Sequence, residues 1–313
     1  MRVSDRIGRR LKLRDLNIFL AVAKEKSMSR AATELAISQP AVSRAIADIE
    51  YILGVPLLDR NPHGVEPTLY GRSLMKRSIA VFDELRESVK EIEFLADPNA
   101  GEIRIGCTPP LAAGIVPAII ERLNHRHPRI LFHVVHTDVA SLQRELRDRR
   151  IEMAMWRAGS HALDEDMETE ALVNDRSLVV AGSRNKWVRR KRIKLAELLD
   201  DPWVLPPSDS TARASIDNAF RFGGHHVPRT SVSSTSMAMT MSLLAGGRYL
   251  SLLPESTILV GTQCTGVKVL PVRLPVAPRL ITLVMLKHRT LSPAARVFIE
   301  CARDVAKPLA KSQ

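Results

Sequence analysis

Residues 27–60 read SMSRAATELAISQPAVSRAIADIEYILGVPLLDR. Apolar positions recur through this stretch at helical spacing, broken once near its middle. Ser29 is expected to cap a short helix whose inner face is Ala32 and Leu35. Ser38 is expected to cap a longer one, with Pro40 in the first turn, where a missing N–H costs nothing. The turn between them is only Ile37 and its neighbours. In the longer helix Val42, Ala45, Ile46, Ile49 and Leu53 form one stripe and Gly54 terminates it, which leaves Gln39, Ser43 and Arg44 pointing outward. Upstream, Leu13, Leu16, Phe19, Leu20 and Ala23 mark a further amphipathic helix, and downstream Val55 to Leu69 reads as two short extended segments around the turn Asn61-Pro-His-Gly64. Three helices followed by a hairpin make a winged helix-turn-helix.

Beyond Thr68, a candidate N-cap, the residues Met75, Phe82, Leu85, Val89, Ile92 and Ala96 follow a nearly continuous seven-residue repeat, ended by Asp97-Pro-Asn-Ala-Gly101. A helix of this length leaves most of its seam uncovered by a small domain. The seam either packs on its own domain or pairs with a second copy, and the second is favoured. From Gly101 onward short apolar runs alternate with helical stretches. Strands are expected at 102–108, 130–136 and 151–156, with helices at 111–124 and 139–149 between them. A second set comprises 177–181, 203–205 and 249–253, while 267–270, 280–286 and a last helix from Pro293 are expected to return to the first. Two α/β lobes joined by crossing segments, with a cleft between them, follow from this order.

A chain of 313 residues is long enough for two or three domains. Its 45% hydrophobic and 26% charged content is that of a globular protein, and no apolar run suffices to span a bilayer. The charged opening Met1-Arg-Val-Ser-Asp-Arg lacks the pattern of a secretory signal, so a cytoplasmic location is expected. Cys107, Cys264 and Cys301 lie far apart, which suits reduced, largely buried thiols better than a disulfide framework or a metal site. A net charge of +12 attracts polyanions, nucleic acid first among them. The basic run Lys186 to Lys194, KWVRRKRIK, reads either as a polyanion-binding patch or as a solvated loop and helix start. An enzyme would need a nucleophile elbow, a phosphate-binding glycine loop or a metal-spaced set of side chains, and none is found.

The stretch 27–60 closely resembles the DNA-binding domain of LysR-type transcriptional regulators, on Ala31-Ala32, Leu35, Ser38-Gln39, Ala41-Val42-Ser43, Ile46, Glu50 and Leu53-Gly54. Leu58 stands where that family often has Phe, and Ile49 where Leu is usual. The resemblance implies a winged helix-turn-helix over 11–68, a linker and dimerisation helix over 69–97, and an effector-binding domain over 101–313 that looks like a periplasmic binding protein. Its lobes would comprise about 101–173 with 266–313, and about 174–265. Homodimers or homotetramers on operator DNA, a small-molecule effector and contact with RNA polymerase are implied too, with no cofactor and no catalytic or metal site.

A helix fits the major groove, where each base pair presents its own donor and acceptor pattern. Gln39 suits adenine, Arg44 guanine or phosphate, and Ser43 either; Ser38 and Pro40 open the same helix. Arg60 and His63 sit at the base and tip of the wing, and Thr68 combines a cap with a candidate phosphate contact. For the effector, strand ends offer Thr108, Pro110, Thr137 and Arg157 from the first lobe, and Pro207, Ser208, Ser234, Thr235 and Ser236 from the second. Each hydroxyl is a candidate helix cap as well as a candidate ligand contact. Pro110 stands where many family members open a helix with Ser or Thr, and Pro109 precedes it; two missing N–H donors weaken the case for an anion there. The stretches Asn174-Asp-Arg-Ser-Leu-Val-Val-Ala-Gly and Glu197 to Pro207 resemble the branch of that family that senses sugars or aromatic acids, which implies a sugar or an aromatic or other organic acid as effector. An architectural DNA protein that senses no ligand is the remaining alternative.

Overall fold

The computed structural model describes residues 11–61, 64–159, 164–260, 266–275 and 277–311. Its backbone divides into two compact units, residues 1–89 and 90–313.

In the first unit α1 (Leu13–Glu25), α2 (Met28–Glu34) and α3 (Gln39–Leu53) pack around Phe19, Val22, Ala31, Val42, Ile46 and Ile49. The cap of α2 is Ser27, whose hydroxyl accepts from the Arg30 N–H at 3.3 Å; Ser29 lies inside the helix. The extended backbone needed for a cap falls two residues earlier than expected. Ser38 does cap α3, accepting from the Ala41 N–H at 3.4 Å, and Gly54 ends it with φ +72. Ile52 is buried on α3 while Leu53 is half-buried against the core. Between α2 and α3 the chain turns at Ala36, φ +53.

The wing is β1 (Leu58–Asn61) paired antiparallel with β2 (Gly64–Pro67). It is pinned from α3, because the Glu50 carboxylate accepts from the N–H groups of Leu57 at 2.7 Å and Leu58 at 3.2 Å. It is pinned again at Gly71, where a Cβ would lie 2.0 Å from the Leu57 carbonyl oxygen. Gly71 lies in the first turn of α4 (Leu69–Ala96), 28 residues long. Leu74 and Met75 pack into the helix-turn-helix core, so Met75 leaves the expected seam. The exposed large apolar residues of α4 beyond its first turn are Val81, Leu85, Val89, Ile92 and Leu95, and Ala96 is exposed as well.

The second unit holds two five-stranded sheets. The first has the order β4-β3-β5-β12-β6, with β3 (Ala100–Cys107) parallel to β4 (Arg129–His136) and β5 (Met153–Arg157). β12 (Arg279–Leu286) runs antiparallel between β5 and β6 (Met167–Asp175). Packed on this sheet are α5 (Pro109–Ala112), α6 (Ile115–Arg126) and α11 (Pro293–Lys311), around Ile103, Ile105, Leu111, Ile119 and Phe298, and α7 (Val139–Arg147), whose Leu142 and Leu146 meet a separate cluster with Ala154, Trp156 and Val284. The helix expected over 111–124 breaks at Gly114, where a Cβ would lie 2.6 Å from the Thr257 Cα.

The second sheet has the order β11-β7-β10-β8-β9. β8 (Trp203–Leu205) is parallel to β9 (Thr230–Ser233) and to β10 (Leu250–Pro254), while β7 (Ser177–Gly182) is antiparallel to β10. With α8 (Thr211–Phe222) it encloses a core centred on Trp203 and Phe220, stacked edge to face at 5.6 Å, while α9 (Met237–Ala245) and α10 (Glu255–Val260) close a separate cluster of Val180, Leu244, Leu253 and Val267. β11 (Val267–Val269) pairs with β7, so this run stays in the second sheet instead of returning to the first. Val267 and Leu270 are buried in the second lobe, and only from Arg279 does the chain rejoin the first sheet.

Candidate DNA-reading helix and effector cleft

On α3 the side chains of Gln39 and Arg44 are exposed, Pro40 is exposed in the first turn, and Ser43 is half-buried. Ser38 spends an acceptor on its cap. Among the described residues no carboxylate pairs with Arg44 or with Arg60, which is exposed on β1. An arginine with no internal partner, on a helix face whose opposite side is fully packed, is free to meet a base edge or a phosphate. Thr68 is differently placed: its hydroxyl donates to the Pro56 carbonyl at 2.8 Å and accepts from the Gly71 N–H at 3.0 Å. It locks the wing to α4. His63 lies outside the described residues.

In the second unit the carboxyl ends of β3, β4 and β5 carry Thr108, Thr137 and Arg157, and those of β8 and β9 lead to Pro207, Ser208 and Ser234–Ser236. The lobes meet along these ends. Thr257 of α10 donates its hydroxyl to the Pro110 carbonyl at 3.0 Å, and an Arg279 nitrogen donates to the Ser215 hydroxyl of α8 at 3.4 Å. Ligands of open α/β sheets sit in crevices beyond such strand ends.

The candidate residues are not equally available. Thr108 is half-buried; its side chain makes no capping bond, and its hydroxyl has no hydrogen-bond partner among the described residues. Thr137 donates to Asp138 at 3.3 Å. Ser236 caps α9 by accepting from the Met239 N–H at 3.2 Å, and Ser234 accepts from the Ser236 N–H at 3.0 Å; both keep their hydroxyl protons to donate. Ser208 and Thr235 are exposed, and the Pro207 carbonyl accepts from the Ser210 hydroxyl at 2.7 Å. At α5 the two prolines offer no N–H, and the next two donors, of Leu111 and Ala112, are spent on the Thr108 carbonyl. This helix start therefore presents no anion nest.

Arg157 is engaged in the crossing between lobes. Its guanidinium lies 3.0 Å from the Asp175 carboxylate, off the hydrogen-bonding angle, and donates to the Asp175 carbonyl at 2.8 Å and the Ser177 hydroxyl at 3.1 Å. Asp175 in turn accepts from the N–H and the hydroxyl of Ser256, at 2.9 and 3.0 Å. Burial pushes the Asp175 carboxyl above its ordinary value despite the opposing pull of Arg157, and lowers Arg157 itself. Arg279 donates to the carbonyls of Ala158 and Arg157 at 2.9 and 2.8 Å; burial and then the nearby charge of Arg157 bring it down to about 10. No sequence motif singles out Asp175, Ser256 or Arg279. Their only local signal is charge set at the ends of apolar strands, which does not say what meets what.

The description "LysR substrate binding domain" matches residues 96–307, and "Bacterial regulatory helix-turn-helix protein, lysR family" matches residues 13–72. The transcriptional regulator GbpR of Azospirillum brasilense is 27% identical, over 94% of this chain and 86% of its own. A full-length OxyR variant of Pseudomonas aeruginosa superposes with a TM-score of 0.63 at 21% identity, covering 95% of each chain. An H2O2-bound cysteine mutant of Corynebacterium glutamicum OxyR does so at 0.56 and 26% identity, covering 97% of each. No helix among the described residues is long and apolar enough to cross a membrane. With one family description matching the reading helix and the other the whole two-lobed unit, the chain belongs to the LysR family of DNA-binding transcription regulators that carry an effector-binding domain.

Proposed function

We propose that the protein is a cytoplasmic, ligand-responsive regulator without enzymatic activity, which sits on its operator as a homodimer or homotetramer and acts there on RNA polymerase. Its DNA contacts would be Ser38, Gln39, Pro40, Ser43, Arg44, Arg60 and His63, with Gln39 and Arg44 carrying sequence preference, whereas Thr68, whose hydroxyl and N–H donate to the carbonyls of Pro56 and Leu57, has no donor left for a phosphate. Dimers would pair along Val81, Leu85, Val89 and Ile92 of α4. A heptad-like apolar stripe of this kind, left exposed in one chain, favours a second copy.

The effector would bind between the lobes, against Thr108, Pro110, Thr137 and Arg157 on one side and Pro207, Ser208, Ser234, Thr235 and Ser236 on the other. A sugar or a hydroxyl-bearing organic acid fits this set. The observation that carries the reading is the hydroxyl of Thr108, a half-buried residue at a strand end, which has no internal partner among the described residues and stands beside a helix start that has no spare N–H. Such a site rewards neutral hydrogen bonds over a dedicated charge, since each buried polar group left unmade costs about 1 to 3 kcal/mol. A ligand that prefers the closed lobes would shift the oligomer between states on DNA.

A thermal-shift screen of the full-length protein against sugars and organic acids tests this. The hit should bind Thr108→Val more weakly by calorimetry, with operator affinity of the ligand-free protein unchanged. Equal binding by wild type and variant would move the effector site elsewhere.

A further inference from the structure

Residues 186–194, KWVRRKRIK, form a turn at the edge of the second lobe that the family assignment leaves without a role. Its apolar residues face inward. Trp187 and Ile193 are buried in the lobe core and Val188 packs against it. The backbone is held at several points: the Asn185 side chain accepts from the Trp187 N–H at 3.0 Å, the Trp187 indole N–H donates to Asp201, and Glu197 accepts from the Lys194 N–H at 2.7 Å. Lys186 pairs with Asp201 at 2.8 Å, and Arg190 lies 5.7 Å from the Trp187 ring centre.

What the turn presents outward is charge alone. Arg189, Arg190, Lys191, Arg192 and Lys194 are on its outer side, and no carboxylate pairs with any of these five among the described residues. The wider charge balance follows the same lobe. Lysines and arginines outnumber acids fourteen to seven over residues 174–275, whereas over the helix-turn-helix, residues 11–68, they stand seven to seven. The part that reads DNA is thus electrically balanced, and a large share of the positive excess sits on a lobe assigned to ligand binding.

We propose that this turn is a second, sequence-independent DNA contact, with duplex phosphates seated on Arg189, Lys191, Arg192 and Lys194. The proposal rests on the chain's membership of a DNA-binding family. No exposed apolar residue lies between the cations, so the surface lacks both the wedge that anchors a protein in a bilayer and the buried anchor that carries a protein interface. Phosphates need neither; they need fixed positive charge, and its benefit comes from counterion release. A duplex already held by α3 is at high effective concentration for a further basic surface that can reach it.

The test is the full-length triple variant Arg189→Gln, Lys191→Gln, Arg192→Gln, which spares Arg190 beside Trp187. Its binding to a random-sequence duplex is followed by anisotropy over a salt series, with Arg44→Ala in parallel. The triple variant should melt as wild type does. Its plot of log affinity against log salt should be shallower by about 1 to 3, at roughly 0.9 for each phosphate no longer neutralised. The charge-keeping swap Arg189→Lys, Lys191→Arg, Arg192→Lys should restore the slope. An unchanged slope and affinity in the triple variant would overturn the proposal. So would loss of binding to polyglutamate or to phosphatidylserine vesicles with duplex binding intact. If Arg44→Ala weakens duplex binding while the triple variant matches wild type, only the second contact falls; if neither variant changes binding, the reading of α3 falls with it.

Discussion

Arg157 and Asp175 stand 3.0 Å apart at the crossing between the lobes, where the end of β5 meets the end of β6, and both are withdrawn from solvent. Burial disfavours the charged form of each, so the desolvation cost outweighs their attraction. The pair with Ser177 and Ser256 defines how the lobes are joined more than it adds stability. Asp175→Ala should therefore cost about 3 to 5 kcal/mol, because it strands a buried cation, whereas Arg157→Met with Asp175→Leu should cost clearly less. Urea unfolding of the three proteins decides it. A double variant less stable than the single one would show that the ion pair itself is stabilising.

The H2O2-bound relative invites the question whether a thiol is the sensor here. Cys107 is fully buried at the end of β3 and burial pushes its thiol up to about 12; burial is also the main cause that raises Cys301. The thiolate, the reactive form, is thus suppressed in both. In a Cys264→Ser variant the native protein should resist iodoacetamide at pH 8 and react only when unfolded. The sign for stability follows: with the folded pKa raised, the thiol's contribution is complete below the unfolded value near 8.5 and is lost as pH climbs towards 12. Rapid native alkylation at Cys107 would contradict this.

Leu85 and Ile92 lie on the exposed stripe of α4, 44% and 68% exposed, and neither supports the core of its own chain. The double variant Leu85→Asp, Ile92→Asp should keep the melting behaviour of a folded chain but sediment as a monomer, since paired helices would bury unpaired charge. A stable dimer would place the interface elsewhere.

The helix-turn-helix was legible because its signals are local. Ser38, Pro40, the stripe from Val42 to Ile49 and Gly54 each act within a few residues, and α3 begins and ends where they say. The same logic slipped where two serines compete, at Ser27 and Ser29, and where a stripe serves two surfaces, at Met75. β6 was not foreseen: in this edge strand the buried positions Met167, Val173 and Asp175 are separated by a run of exposed and half-buried ones, so it shows no regular alternation. β11 was assigned to the wrong sheet because three residues carry no information about their partner. The crossing of Arg157, Asp175 and Ser256 was illegible for the reason that partners 81 residues apart leave no spacing to read.

Recognition of DNA is proposed to fall to the exposed face of α3. It is tested most directly by Arg44→Ala, titrated at fixed salt against a duplex that the wild-type protein has selected from a random pool. The variant should remain folded and oligomeric and bind that duplex about five- to 150-fold more weakly, with a smaller loss on random DNA. Wild-type affinity and discrimination in a folded Arg44→Ala protein would contradict the account.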